Sequence, residues 1–173
     1  LVNRVTLVAP LIKPVVPLYQ RALMNFVIPI MAWLQPRSPI WFGRDVLEME
    51  RDTENSLVFT DPDAHQRAID LCEKHPHLLT GMPSWGWVKG MFEAINEISN
   101  QLTEDHKMSI HHTAIIAGND HVVDSTKSMD FFRNMGISIY LLHEAKHALI
   151  AENTYVKRIV DISTQEPASS LVG

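Results

Sequence analysis

Three short apolar runs stand out along the chain, each bounded by a proline, a glycine or a polar turn. "RVTLVA" (Arg4 to Ala9) is rich in β-branched residues and is followed by Pro10. "HHTAIIAG" (His111 to Gly118) ends in glycine, and "ISIYLL" (Ile137 to Leu142) follows Gly136. Runs of this length and composition predict strands, the first two of them buried. Between and after them the period lengthens. "TDPDAHQRAIDLCEKH" opens a helix with Asp61 as N-cap and Pro62 at the first helical position. In "SWGWVKGMFEAINEISNQL", Val88, Met91, Ile95, Ile98 and Leu102 recur at steps of three and four residues, a stripe expected to face a core. "STKSMDFFRNMG" predicts a short helix with Gly136 just past its end, and a last helix is expected around "TYVKRIVDI". The C-terminal part therefore alternates strand, loop, helix, strand, loop, helix. That order argues for an α/β fold with a parallel sheet and crossover helices.

From Lys13 to about Thr60 the pattern changes. Prolines 14, 17, 29, 36 and 39 divide the sequence into short apolar pieces, so long regular elements are not expected there. The stretch reads as an irregular insertion or lid. Its most apolar part, Ala22 to Leu34, is shorter than a membrane span and interrupted by Pro29, which favours burial against protein. The tail "STQEPASSLVG" is expected to fray.

Composition removes several function classes. A net charge of −5 and a pI near 6.0, with no lysine-arginine cluster, argue against nucleic acid as a partner. The single cysteine, Cys72, rules out an internal disulfide and any Cys-based zinc cluster. Its setting in "AIDLCEKH" reads as a small buried hydrophobe rather than a nucleophile. No stretch has the pattern of a secretory leader, and the expected location is cytoplasmic. The chain opens directly on a strand-like run without an initial Met, as if it began in the middle of something.

Two readings compete for "HEAKH", His143 to His147. The zinc-peptidase reading places His143 and His147 on one helix face with Glu144 as base. It requires a helix and a third ligand. Only Glu152, Asp161 and Glu166 stand downstream, none in a recognisable ligand motif. The second reading follows from the parallel sheet. In open α/β sheets functional residues gather beyond the carboxyl ends of strands. "GNDHVVD" lies at one such end and "HEAKHALIAEN" at the next. An Asp after one strand and a His after the next can meet, the carboxylate orienting the imidazole as a general base. Asp124 competes with Asp120 for the acid's role but sits where a helix N-cap is expected. His121 reads as a loop residue, and His143 as a strand-end residue. His111 and His112 point to opposite faces of a strand and so cannot chelate one metal well. No metal or other cofactor is expected.

The stretch "TAIIAGNDHVVD…SMDFF…ISIYLLHEAKHALIAEN" resembles the last two strands of an α/β-hydrolase, in the lysophospholipase L2 and monoacylglycerol lipase branch. The resemblance implies Asp120 as triad acid and His147 as triad base, with Glu152 matching the acidic residue that follows the His. "HPHLLTGMPSWGWVKGMF" is similar to the branch's G-G-P-T-x-G-W stretch, with Met82 in place of the second Gly and Ser84 in place of the Thr. It also implies boundaries: residues 1–12 as the strand after the nucleophile region, 13–80 as lid, 81–163 as the C-terminal half of the core, and 164–173 as tail.

The family's nucleophile lies in a G-x-S-x-G elbow upstream of both Asp and His. No such pattern occurs in these residues, and Ser84 in "GMPSWG" stands where the family has no nucleophile. The resemblance thus implies a fatty-acyl ester hydrolase seen as its lid and C-terminal half, inactive by itself. The serine and oxyanion hole would come from a missing N-terminal half, on the same or a separate polypeptide. Substrates would be lysophospholipids or monoacylglycerols, with peripheral contact at the inner membrane face. A zinc peptidase, or a non-catalytic fragment binding apolar ligands or a partner, are the alternatives.

Overall fold

The computed structural model describes residues 2–16, 18–40, 53, 55–78, 81–101 and 110–164. Three strands form one sheet in the order β1 (Arg4–Val8), β2 (His111–Ala117), β3 (Ser138–Leu142), parallel throughout. The helices are α1 (Leu18–Leu34), α2 (Pro62–Lys74), α3 (Trp85–Gln101), α4 (Ser125–Asn134) and α5 (Asn153–Thr164). Short 3-10 turns lie at Pro76–Leu78 and Leu149–Ala151.

The central strand shows why the predicted runs become a sheet. Side chains alternate across a strand, so a run apolar at every position can feed two cores at once. Ile115 and Ala117 pack with Leu142, Leu149 and Ile162 beneath α5. Ala114 and Ile116 pack with Phe132 of α4 on the other face. The β2–α4–β3 unit is thus a crossover with a helix on one face, and α5 covers the other. Each fully buried apolar side chain of this size stabilises the fold by about 1.5–3 kcal/mol.

The outer strands differ from expectation. β1 is half-buried at every residue instead of buried, because among the described residues it pairs only with β2. β3, at the other edge, alternates exposed and half-buried residues until Leu142 closes it in the core. Arg4 Nη1 donates to the carbonyl of Ser163 at 2.8 Å, tying the start of β1 to the end of α5.

The caps fall where the sequence puts them. Asp61 Oδ1 accepts from the amide of Asp63 and Pro62 opens α2. Asp124 Oδ1 accepts from the amide of Lys127 at the start of α4. A third cap was not read from the sequence: Ser84 Oγ accepts from the amide of Trp87 at the start of α3. Beyond α4, Gly136 holds φ +64°, a conformation that glycine alone adopts without strain.

The largest correction concerns the described part of residues 13–60; residues 41–52 and 54 lie outside the described residues. The prolines do not prevent a long element: α1 runs for 17 residues with Pro29 inside it. Pro29 lacks an amide, which leaves the carbonyl of Asn25 without its helical donor. Both residues are exposed, so water can take that role. α1 also departs from full burial against protein. Ile28 packs with Trp85 and Val88 of α3, and Met24, Val27 and Met31 lie along that contact. Phe26, Ile30, Trp33 and Leu34 stay exposed, Phe26 at 74% and Trp33 at 82%. The α3 stripe is likewise shorter than predicted, because Ile98 is exposed. Leu102 and residues 165–173 lie outside the described residues, while Ser163 and Thr164 belong to α5 and not to a tail. Cys72 is half-buried and not part of a core.

Candidate active site

The carboxyl ends of β2 and β3 are held together by their backbones before any side chain is considered. The amide of Gly118 donates to the carbonyl of Leu142 at 2.8 Å, and the amide of Asn119 donates to that of Ala145 at 3.0 Å. Gly118 is required by this approach. A Cβ there would stand 2.5 Å from the carbonyl oxygen of His143 and 2.6 Å from its Cα. Both are backbone atoms, which cannot swing aside as a side chain could.

This convergence brings Asp120 and His147 into contact. His147 Nδ1 lies 2.8 Å from Asp120 Oδ2. An ionised carboxylate only accepts, so Nδ1 carries the proton and donates it. Nε2 is then the basic nitrogen, and it has no hydrogen-bond partner in the structure among the described residues. The other carboxylate oxygen, Oδ1, accepts from the amides of Val122 at 2.7 Å and Val123 at 2.9 Å. The Asp120 side chain is 3% exposed and that of His147 is 29% exposed. One partner is thus fixed and dry while the other remains reachable.

The protonation of Asp120 follows from opposing effects. Burial alone would raise its pKa. The hydrogen bond from His147, those from the amides of Val123 and Val122, and the attraction of a charged imidazole outweigh it, so the carboxyl stays below the usual carboxylate range. Asp120 is therefore ionised at neutral pH and suited to hold one imidazole tautomer.

A strap formed by residues 56–61 braces the His147 loop. The amide of Ala148 donates to the carbonyl of Val58 at 2.9 Å. Lys146 donates twice, its amide to Thr60 Oγ1 at 2.9 Å and its ammonium to the carbonyl of Ser56 at 2.6 Å. Glu152, only 1% exposed, accepts from the amides of Thr60 at 2.7 Å and Asp61 at 3.2 Å. Its carboxylate replaces the water those buried amides would otherwise need. The amide of Asp61 is part of the entry to α2, so the loop bearing His147 is fastened to that helix. Nothing in the spacing of Ser56, Thr60 and Glu152 announces this. A buried carboxylate 91 residues or more from its partners leaves no local pattern.

The remaining candidates do not join the site. Asp124 caps α4, while His121 and His143 are exposed in turns. His112 Nδ1 donates to the carbonyl of Ile110 at 2.7 Å. Residues 143–147 form a turn and loop after β3, so the helix needed to set His143 and His147 on one face is absent. Among the described residues no three His, Cys, Asp or Glu side chains cluster as metal ligands would. Ser84 is engaged as a helix cap. His65, which sequence reasoning passed over, is 2% exposed and stacks on Phe59 with ring centroids 4.7 Å apart. It joins α2 to the strap and does not touch the Asp120–His147 pair.

Residues 1–154 match the hydrolase family described as serine aminopeptidase, S33. Among solved structures, a soluble variant of monoglyceride lipase from Saccharomyces cerevisiae, in complex with a substrate analog, superposes with a TM-score of 0.63 at 13% identity. The match covers 93% of this chain and 51% of the yeast chain, so these residues span about half the length of that neighbour. No curated protein matches. The chain belongs to the serine aminopeptidase S33 family of α/β-hydrolases, with a relationship to monoglyceride lipase in fold.

Proposed function

We propose that the complete protein hydrolyses fatty-acyl esters, monoacylglycerols or lysophospholipids, through a Ser-Asp-His triad whose serine lies outside these residues, upstream of them. The observation that carries the reading is the contact of His147 Nδ1 with the dry, doubly braced carboxylate of Asp120 at 2.8 Å. In this mechanism the serine Oγ attacks the acyl carbonyl while His147 Nε2 removes its proton. Asp120 keeps the tautomer and stabilises the imidazolium. His147 then protonates the departing alcohol, leaving an acyl-enzyme. Water attacks that ester, again giving its proton to Nε2, and the fatty acid leaves as the serine is restored. Donors for the oxyanion also come from outside these residues.

The family's description names an aminopeptidase and the yeast neighbour's a lipase. Both reactions begin with the same attack, so the triad does not choose between them. The exposed apolar side of α1, with Phe26, Ile30, Trp33 and Leu34, supports an acyl chain presented from a lipid surface over a peptide. Residues 13–80 would then serve as the lid over the bound ester.

Fluorophosphonate labelling of the complete protein, followed by intact-mass analysis and peptide mapping, tests the triad. One label upstream of Leu1 is expected, together with turnover of monoacylglycerol exceeding that of an aminoacyl amide. Absence of label would overturn the serine mechanism. Label with turnover of the aminoacyl amide alone would overturn the substrate class and keep the mechanism.

A further inference from the structure

The chain between β1 and α2 leaves the sheet beside Asp120 and returns beside His147. Its return is the strap at residues 56–61, which braces the His147 loop. Its departure makes a second brace, on the other member of the pair. Just past β1, Ala9 holds φ +44° and is the one non-glycine residue with positive φ among the described residues. Such a conformation is strained for any side chain and persists only where the surroundings hold it. The amide of Ala9 donates to the carbonyl of Ile115 at 2.9 Å, and the amide of Ile12 to that of Pro10 at 3.0 Å. The chain then meets residues 122–124, with Pro14 opposite Val123 in a short antiparallel bridge. The amide of Val15 donates to the carbonyl of Val122, and the amide of Asp124 to that of Lys13, both at 2.8 Å.

The bridge and the carboxylate divide the backbone groups of this turn between them. Pro14 and Val123 form the kind of antiparallel pair whose members exchange no hydrogen bond with each other. A proline, which has no amide, fits there, and the amide of Val123 is left over. The bridge takes the carbonyl of Val122 and the amide of Asp124. The amides of Val122 and Val123, which it does not use, are the two donors to Asp120 Oδ1. Val123 is buried, whereas the Val15 side chain is 51% exposed. The hold on the turn therefore comes through the backbone of Val15 and not through its side chain.

We propose that residues 13–15 position the triad acid: their bridge fixes the turn whose amides hold Asp120 Oδ1, and so sets the direction in which Oδ2 meets His147. Val15 is a positioning residue that acts through its amide. Together with the strap, the two ends of one chain segment align acid and base separately, and displacement of either end misaligns the pair from its own side. The consequence for turnover rests on the triad reading given above, while the positioning itself rests on the hydrogen bonds alone.

The test replaces Val15 of the complete protein by its α-hydroxy analogue, which keeps the side chain and turns the donating amide into an ester. The amides of Val122 and Val123 are expected to exchange with solvent about tenfold faster. The Nδ1 proton of His147 should move upfield in the NMR spectrum as its bond to Asp120 lengthens. For an acyl ester, kcat should fall about tenfold at an unchanged KM. Val15→Ala keeps the amide and should restore all three readouts, whereas a role in side-chain packing would show in this variant instead. Should the ester variant fail to fold, exchange in the wild type decides. The amides of Val15, Val122, Val123 and Asp124 should then open together, with one dependence on denaturant. An unmoved Nδ1 proton and unchanged exchange in the folded ester variant would overturn the proposal. So would protection of Val122 and Val123 that persists in the wild type while Val15 and Asp124 exchange freely. The expected proton shift and exchange in a protein without ester turnover would overturn the hydrolase reading and keep the positioning role.

Discussion

The sheet and the α1–α3 pair treat apolar surface in opposite ways. In the sheet, successive residues of β2 enter two cores on opposite faces, and Ala114, Ile115, Ile116 and Ala117 are all buried. In the pair, Ile28, Trp85 and Val88 make one narrow seam, and the outer side of α1 keeps Phe26, Ile30, Trp33 and Leu34 exposed. An apolar residue in the first region reports packing. In the second it reports packing or availability, and the sequence reads the same for both. The strap at residues 56–61 fastens the loop bearing His147, on the sheet's side, to α2.

Four changes would break or sharpen this contrast. The largest effect belongs to Asp120→Asn in the complete protein. The amide can donate to His147 Nδ1 and so favour the wrong tautomer, and kcat for an acyl ester is expected to fall about 10⁴-fold with the fold retained. Steady-state kinetics beside a circular dichroism melt will separate chemistry from folding.

Next comes Glu152→Ala, which strips the acceptor from the buried amides of Thr60 and Asp61. A loss of about 3 kcal/mol is expected from two orphaned donors. Amide exchange at Thr60 and Asp61 should quicken, and kcat should fall as the His147 loop loosens. Unchanged exchange at both amides would mean that the strap is held by Lys146 and Ala148 without Glu152.

A smaller effect is a pH dependence. The folded-state pKa of Asp120 is depressed, so its contribution is complete above the unfolded value of about 4 and is lost as pH falls through the folded one. The stability gap between the wild type and Asp120→Asn should therefore narrow as denaturant titrations move from pH 6 to pH 3. A gap that widens in acid would contradict the ionised, hydrogen-bonded carboxylate.

The smallest change in stability is expected where the exposure is greatest. Phe26→Ser and Trp33→Ser should each shift stability by no more than about 0.5 kcal/mol. Turnover of an ester in vesicles is nevertheless expected to fall several-fold, with turnover of a short soluble ester unchanged. Substitution of Ala114 or Ile116 by Ser should do the reverse, and chemical denaturation beside the two assays distinguishes them.

The core was legible because its signals are local. β-branched runs, an Asp-Pro helix start and a glycine after α4 each depend on a few neighbouring residues, and all appear where they were expected. The meeting of Asp120 with His147 was legible one level higher. Parallel strands joined by a crossover put their carboxyl ends on one edge, and 27 residues separate the two side chains. The continuity of α1 through Pro29 was not legible, because it depends on whether the carbonyl of Asn25 can reach water. That is a matter of which side of the helix is covered.

The sequence by itself thus determined the parallel α/β order, the caps of α2 and α4, and the pairing of an acid with a base beyond two strand ends. Tertiary structure alone decided the half-burial of β1, the exposed side of α1, the close approach that makes Gly118 necessary, and the burial of Glu152 beneath the strap. The division has one physical cause. Propensity and capping act between residues a few positions apart, whereas desolvation is settled by whatever the folded chain lays over a group.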